Sequence, residues 1–286
     1  MTRFASMSFL LGSMAIMAAL LVLLWSHPDR EVLLAGGAVV LIIASLILEK
    51  LHPFNNDWLQ TPRAELAGDI GSFVLIFGII DSALKWLTPF VVLGFLPQLG
   101  ALSLPPWQQV ILVTLWIEFA GWASHWAHHK FKPLWALHAM HHSTEHLYTL
   151  NNFRFHPFNH IINHLAMIMP PLLVGFSADA ILIYTALSLP VLLLQHSNAA
   201  FDFGFFNRIF NTNDLHRWHH STDPQEGVSN LGRSLVLWDQ LFGTYLRPTA
   251  KGQPAGIGLF AISRSFPAPT RFFAQLAWPF SRECCK

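Results

Sequence analysis

Two stretches of the chain, residues 8–25 and 32–48, contain no charged side chain, and each is long enough to cross a bilayer as a helix. A hydrocarbon core about 30 Å thick takes about 20 residues at about 1.5 Å of rise each, and a helix satisfies its own backbone where no water is available. Only six residues separate the two runs, and the first has no basic flank beyond Arg3. A retained helical hairpin is therefore expected rather than a cleaved secretory signal. The whole composition agrees. Of 286 residues 53% are hydrophobic and 12% are charged, whereas a soluble domain carries about 25% charged residues.

A third run, residues 70–96, carries Asp81 and Lys85. Four positions apart with the acid first, they share a helix face and are expected to pair with each other. The fourth run, residues 107–126, has one acid, Glu118, and leads directly into histidines. The fifth, residues 165–194, is interrupted by Pro170, Pro171, Ser177, Asp179 and Pro190, which suits a re-entrant or V-shaped helix pair better than one straight span. Four crossings followed by a returning hairpin place both histidine-rich segments on the side of the N-terminus. Setting aside Arg30 and Lys85, the remaining 15 of 17 basic residues fall on that side, as the positive-inside rule requires of the cytoplasm. The expected fold class is an all-α integral membrane protein: a helical bundle with four membrane spans, a hydrophobic hairpin and a cytoplasmic histidine-rich helical cap. A multi-pass protein of a bacterial inner membrane is expected, with both termini cytoplasmic.

A net charge of +1 without a basic block gives no footing for nucleic acid. The only cysteines, Cys284 and Cys285, are adjacent, which leaves no disulfide framework and no thiolate metal site. After Thr244 the chain becomes rich in proline and glycine, and its last part, residues 264–280, reads either as an interfacial anchor or as a packed tail.

Histidine is the unusual residue: 14 of 16 lie between His125 and His220. Three boxes stand out, His125-Trp-Ala-His128-His129, His138-Ala-Met-His141-His142 and His216-Arg-Trp-His219-His220. On a helix, positions i, i+3 and i+4 share a face, so each box can offer two or three imidazoles to one small volume. A single buried histidine is usually a hydrogen-bonded core residue; three boxes in 96 residues point to chelation. Imidazole suits zinc, copper, iron and nickel, and eight or more exceed one ion. Two metals about 3.5–4 Å apart or somewhat further would use them, and of these metals iron activates O₂. The chain has no His-Glu-x-x-His pattern, no glycine-rich dinucleotide fingerprint and no haem-attachment motif, so electrons are expected from an external donor.

The order of these features, with Arg154-Phe-His156-Pro157, Gln195-His196-Ser197-Asn198 and the run 237–244, resembles the fatty acid hydroxylase and sterol desaturase superfamily over roughly residues 107–247. The resemblance implies that His125, His129, His138, His141, His142, His156, His196, His216, His219 and His220 hold two iron ions, with O₂ as co-substrate. It implies hydroxylation of an unactivated C–H bond in a lipid, with two electrons from a ferredoxin, cytochrome or similar donor. Residues 1–103 would then be N-terminal transmembrane helices, 104–247 the di-iron domain and 248–286 the tail. His128, His146, His160 and His164 fall outside the ligand pattern, and Trp126 stands where relatives often carry Arg. Glu118, seven residues before His125 and so on its face, is expected to orient a ligand imidazole; Asp214 and Asp239 are candidates for the same role beside the third box. Phe73, Phe77, Phe95 and the proline-broken segment could form a lipid slot. Desaturation on the same metals is the close rival. From another class, a histidine-rich metal transporter would place its ligands mid-membrane, whereas these boxes lie at span ends.

Overall fold

The computed structural model describes residues 1–95, 102–246, 252–263 and 265–281; Arg264, Cys284 and Cys285 lie outside them. Among the described residues it holds helices and three isolated bridges but no strand. Four helices are long and apolar enough to span a membrane: α1 (Arg3–Leu23), α2 (Arg30–Leu51), α3 (Arg63–Gly94) and α4 (Pro106–Lys130). Shorter ones follow: α5 (Lys132–His138), α6 (Pro157–Met167), α7 (Met169–Val174), α8 (Ala178–Leu194), α9 (Asn213–His219), α10 (Leu237–Phe242) and α11 (Phe272–Ala277).

The third apolar run was read from residue 70, but α3 begins at Arg63. Its first turns carry Glu65 and Asp69, which bury against protein rather than lipid, so hydropathy alone misses them. Residues Val74–Ile80 wind as a π-turn, and Phe73 and Phe77 both meet the Phe153 ring, at 5.0 and 5.4 Å. Asp81 and Lys85 pair at 2.8 Å as their spacing suggested.

The fifth apolar stretch is a hairpin. Helices α6 and α7 run in, Gly175 reverses the chain at φ 97°, a left-handed conformation that favours glycine, and α8 returns. The Leu102 N–H donates to the Gly175 carbonyl at 3.1 Å and the Ser177 N–H to Gln109 Oε1 at 2.9 Å, which fixes the bend at the first turn of α4. Helix α8 is the central post. One side packs on α1 and α2 through Met17, Leu34, Leu41, Ala186 and Leu193, the other on α4 through Val113, Ile117 and Tyr184.

Outward faces remain apolar, with Ile16, Val40 and Leu93 more than half exposed, a surface suited to lipid. The N-terminal amine donates to the Ala200 carbonyl at 2.8 Å, and the Ala200 N–H to the His52 carbonyl at 2.8 Å, so the start of α1 and the end of α2 lie beside the turn that follows α8. Arg30 and Asp179 pair at the opposite end. The tail packs: Gln275 is fully buried, while Phe273 and Phe280 stay exposed.

Candidate metal centre

Each box is delivered by a helix end. His125 and His129 lie one turn apart on the last turns of α4. Phe131 then leaves the helix in extended conformation, and Pro133 sits in the first turn of α5, where its missing N–H costs nothing. Helix α5 ends at His138, and a tight turn carries His141 and His142. His196 follows α8; His216 and His219 ride on α9, with His220 at its C-cap.

The side chains gather into two groups. His125, His129, His138, His142 and His219 form one; His141, His196, His216 and His220 form the other, and within each group the ligand atoms lie within 4.8 Å of one another. In the first, His138 Nε2 lies 3.0 Å from His125 Nε2 and 3.2 Å from His142 Nε2. In the second, His216 Nε2 lies 3.1 Å from His196 Nε2 and 3.2 Å from His220 Nε2.

The other ring nitrogens show why these contacts suit a cation. His125 Nδ1 donates to the Leu231 carbonyl at 2.9 Å, His141 Nδ1 to the Arg154 carbonyl at 3.3 Å and His219 Nδ1 to the Ser229 carbonyl at 3.0 Å. His138 Nδ1 donates to Asn159 Oδ1 at 3.0 Å and His196 Nδ1 to Asn151 Oδ1 at 2.8 Å. With the proton of His125 and of His138 held at Nδ1, their Nε2 lone pairs face one another at 3.0 Å, which is unfavourable until a positive ion lies between them. Metal–nitrogen bonds of about 2.1 Å at right angles put neighbouring nitrogens about 3.0 Å apart. His129 and His219 also keep buried Nε2 atoms with no protein partner. Nine imidazoles in groups of five and four fit two ions; the first group exceeds the four ligands of structural zinc.

Burial disfavours the imidazolium, so His138, His142, His196, His216, His219 and His220 are held well below the usual histidine range, and His141 is pushed down to about 3. Neutral imidazole is the ligating form.

The tenth expected ligand, His156, stands outside both groups. Its Nδ1 accepts from the Phe158 N–H, capping α6, and its Nε2 donates to the Leu276 carbonyl at 3.1 Å, so both nitrogens are already used. His128 also stays outside: its Nδ1 meets the Ser124 carbonyl and its Nε2 takes Asn159 Nδ2 at 3.0 Å, so it steadies the amide that orients His138. His160 faces Asp81, His164 faces Thr88, and His146 faces Thr61 and Glu65.

None of the three expected acids touches an imidazole among the described residues. Glu118 accepts from the Ser234 and Leu235 N–H groups at 3.0 Å each and from Tyr184 Oη at 2.7 Å. Asp239 accepts from the Leu231 and Gly232 N–H groups, both at 2.8 Å, and burial pushes its carboxyl up to about 6. Together they grip the segment 231–235, whose first carbonyl orients His125, so both act through backbone. Asp214 pairs with Arg217 at 2.8 Å instead.

Gly232 makes that grip possible, because a Cβ there would lie 2.2 Å from the Leu235 carbonyl oxygen and 2.7 Å from Asp239 Oδ2. Gly232→Ala should displace the segment and weaken metal binding by about 10–100-fold in a competitive chelator titration, and an unchanged affinity would show that the segment does not tune the site.

Sequence reasoning missed Asn151, Asn159 and Glu49. Glu49 Oε1 accepts from the Asn198 N–H at 2.9 Å and the Thr149 N–H at 2.7 Å, which fixes the His196 turn against the end of α2. An acid directly after a charge-free apolar run was the signal for Glu49; the two asparagines carried none beyond lying between boxes.

A cavity of about 260 Å³ opens beside His125, His138, His141 and His216. Phe77, Phe153, Met167 and Leu193 form much of its wall. Of the expected slot residues Phe77 takes part, as do leucines of α8, while Phe73 does not; the Phe95 side chain lies outside the described residues.

The fatty acid hydroxylase family model matches residues 110–244, the segment holding every member of both groups. Ornithine lipid hydroxylase OlsE of Rhizobium tropici is 31% identical over 255 residues, covering 86% of this chain and 74% of that protein. Alkylglycerol monooxygenase of Danio rerio is 29% identical over 170 residues, covering 55% of this chain and 36% of that protein. No solved structure matches the chain. With the histidine groups at helix ends and this likeness along most of its length, the chain belongs to the fatty acid hydroxylase family and is a membrane oxidoreductase.

Proposed function

We propose that this protein hydroxylates an unactivated C–H bond of a membrane lipid at a di-iron centre, using O₂ and two electrons from an external donor. The observation that carries this reading is the meeting of nine imidazoles in two groups, each of which puts two rings, His125 and His138 or His141 and His216, at the wall of a largely apolar cavity. His125, His129, His138, His142 and His219 would hold one ion and His141, His196, His216 and His220 the other. Iron bound there would supply O₂ activation and the oxidising power for C–H cleavage.

The protein supplies the rest. Carbonyls of Leu231, Arg154 and Ser229 and the amides of Asn151 and Asn159 keep the protons on Nδ1 and the lone pairs on Nε2. Burial of the rings excludes water, and Phe77, Phe153 and Leu193 hold methylenes beside them. His156 serves by joining the start of α6 to the tail at Leu276. In this reading residues 1–103 are the membrane scaffold, 104–247 the metal domain and 248–286 the tail.

The two relatives carry the names hydroxylase and monooxygenase, which favours hydroxylation over desaturation; their lipids differ, so membrane lipid is the class that carries over. The positive-inside distribution supports histidines and both termini on the cytoplasmic side of a bacterial inner membrane, where a ferredoxin or cytochrome donor is available.

The test uses iron-loaded protein in lipid nanodiscs under ¹⁸O₂. With ferredoxin, its reductase and NADPH, a lipid carrying one ¹⁸O atom is expected; with NADPH alone, none. Loss of two hydrogens without label would make the protein a desaturase, and an unchanged lipid pool would refute the oxygenase reading.

A further inference from the structure

The cavity beside the histidines has one cation in its wall, and hydrocarbon has no use for it. Arg233 lines it together with Asn163 and Gln195. Arg233 belongs to the segment gripped by Glu118 and Asp239, and Gln195 Nε2 donates to its carbonyl at 2.6 Å, so its backbone is held on both sides. Its side chain lies across Gly121, where a Cβ would come within 3.2 Å of its Cβ and Cδ. Nη1 donates to Tyr184 Oη at 2.9 Å.

The remaining guanidinium N–H groups have no acceptor among the described residues, and no carboxylate there lies within 4 Å. Glu118, which Tyr184 Oη links to Arg233, is fully buried and already accepts from Ser234, Leu235 and Tyr184. Asn163 spends its Oδ1 on the Ser124 hydroxyl at 2.7 Å, and its Nδ2 donors have no acceptor among the described residues either. Arg233 is half-buried, and its unpaired N–H groups open on the cavity it lines, where an oxygen of opposite charge would meet charge-assisted donors.

We infer that this cavity binds the anionic head of an amphiphile, with a carboxylate or phosphate oxygen on Arg233 and the adjoining methylenes against Phe77, Phe153 and Leu193. Because His125, His138, His141 and His216 line the same space, the carbon exposed to the metals is one close to the head group, not the chain terminus. The inference deepens the hydroxylase reading and rests on it for the oxidised carbon, while the binding site stands on the cavity itself.

The experiment is equilibrium binding to the iron-loaded full-length protein in zwitterionic nanodiscs, with N-palmitoylglycine, hexadecyl phosphate and the neutral N-palmitoylethanolamine as probes. At least one anion should bind about tenfold or more tightly than the neutral amide, as a charge-assisted hydrogen bond would give, and which anion does so distinguishes carboxylate from phosphate. Arg233→Gln should abolish that preference by weakening the anion alone, and Arg233→Lys should retain most of it; iron per chain reports that each variant is folded. Equal binding of all three probes by the wild type, or a preference that survives Arg233→Gln, overturns the inference. Anion preference without ¹⁸O incorporation would leave the site standing and remove the hydroxylase reading; oxygenation without anion preference would do the reverse.

Discussion

His138→Ala and His216→Ala should each reduce lipid oxygenation by more than about 100-fold, because each removes a ligand at the crossing point of its group, where even the loss of an outer hydrogen-bonding partner is worth about 10–100-fold. His138 Nε2 is the atom that both His125 and His142 approach, and His216 Nε2 the one that both His196 and His220 approach. The two variants should differ in which metal they lose, since the groups share no histidine. Metal analysis paired with the activity assay on protein recovered from the membrane fraction separates loss of metal from loss of insertion. His156→Ala is the contrast: its ring nitrogens bond to the Phe158 N–H and the Leu276 carbonyl, so it should keep its metal and lose stability at the tail. Full activity in either ligand variant, or metal loss in the His156 variant equal to theirs, would contradict the grouping.

Arg154→Met should destabilise the fold by about 3–5 kcal/mol, the cost of leaving one partner of a buried ion pair alone. Arg154 and Asp69 have fully buried side chains and meet at 2.6 Å. The same guanidinium donates to Gln275 Oε1 at 3.1 Å and to the Pro269 carbonyl at 3.0 Å, tying the tail to α3. Its own carbonyl orients His141, so the loss should reach the metal site. A drop of roughly 10 °C in the midpoint of thermal unfolding is expected for a chain of this size. Adding Asp69→Asn should recover part of it, because the stranded charge is then gone. A loss below about 1 kcal/mol, or no recovery in the double variant, would show that the pair does not organise the tail.

The spans were legible because lipid allows no compromise: charge-free runs at residues 8–25 and 32–48 had to be helices, and they are α1 and α2. The hairpin was legible from its prolines, Ser177 and Asp179, since Ser177 caps α8 as such a residue does at a helix start. The start of α3 was not, because Glu65 and Asp69 look like loop residues until Arg154, some 85 positions away, is seen beside them. Histidine spacing marked the boxes but could not sort them, since the second and third boxes are each divided between the two groups: His138, His142 and His219 go to one, His141, His216 and His220 to the other. His156 shows the limit of resemblance: its motif position suggested a ligand, and its hydrogen bonds give it to the tail. Glu118 and Asp239 were expected to bond an imidazole directly, whereas they bond the backbone of the segment whose Leu231 carbonyl meets His125, and a backbone carbonyl leaves no mark in a sequence.

The central claim is that nine imidazoles hold two irons beside the lipid cavity. Metal content with X-ray absorption at the iron edge, on protein purified from iron-replete cells, tests it most directly. The account predicts two irons per chain in a shell of nitrogen and oxygen ligands dominated by imidazole. Stoichiometric zinc or copper in place of iron, a single iron, or sulfur in the shell would contradict it.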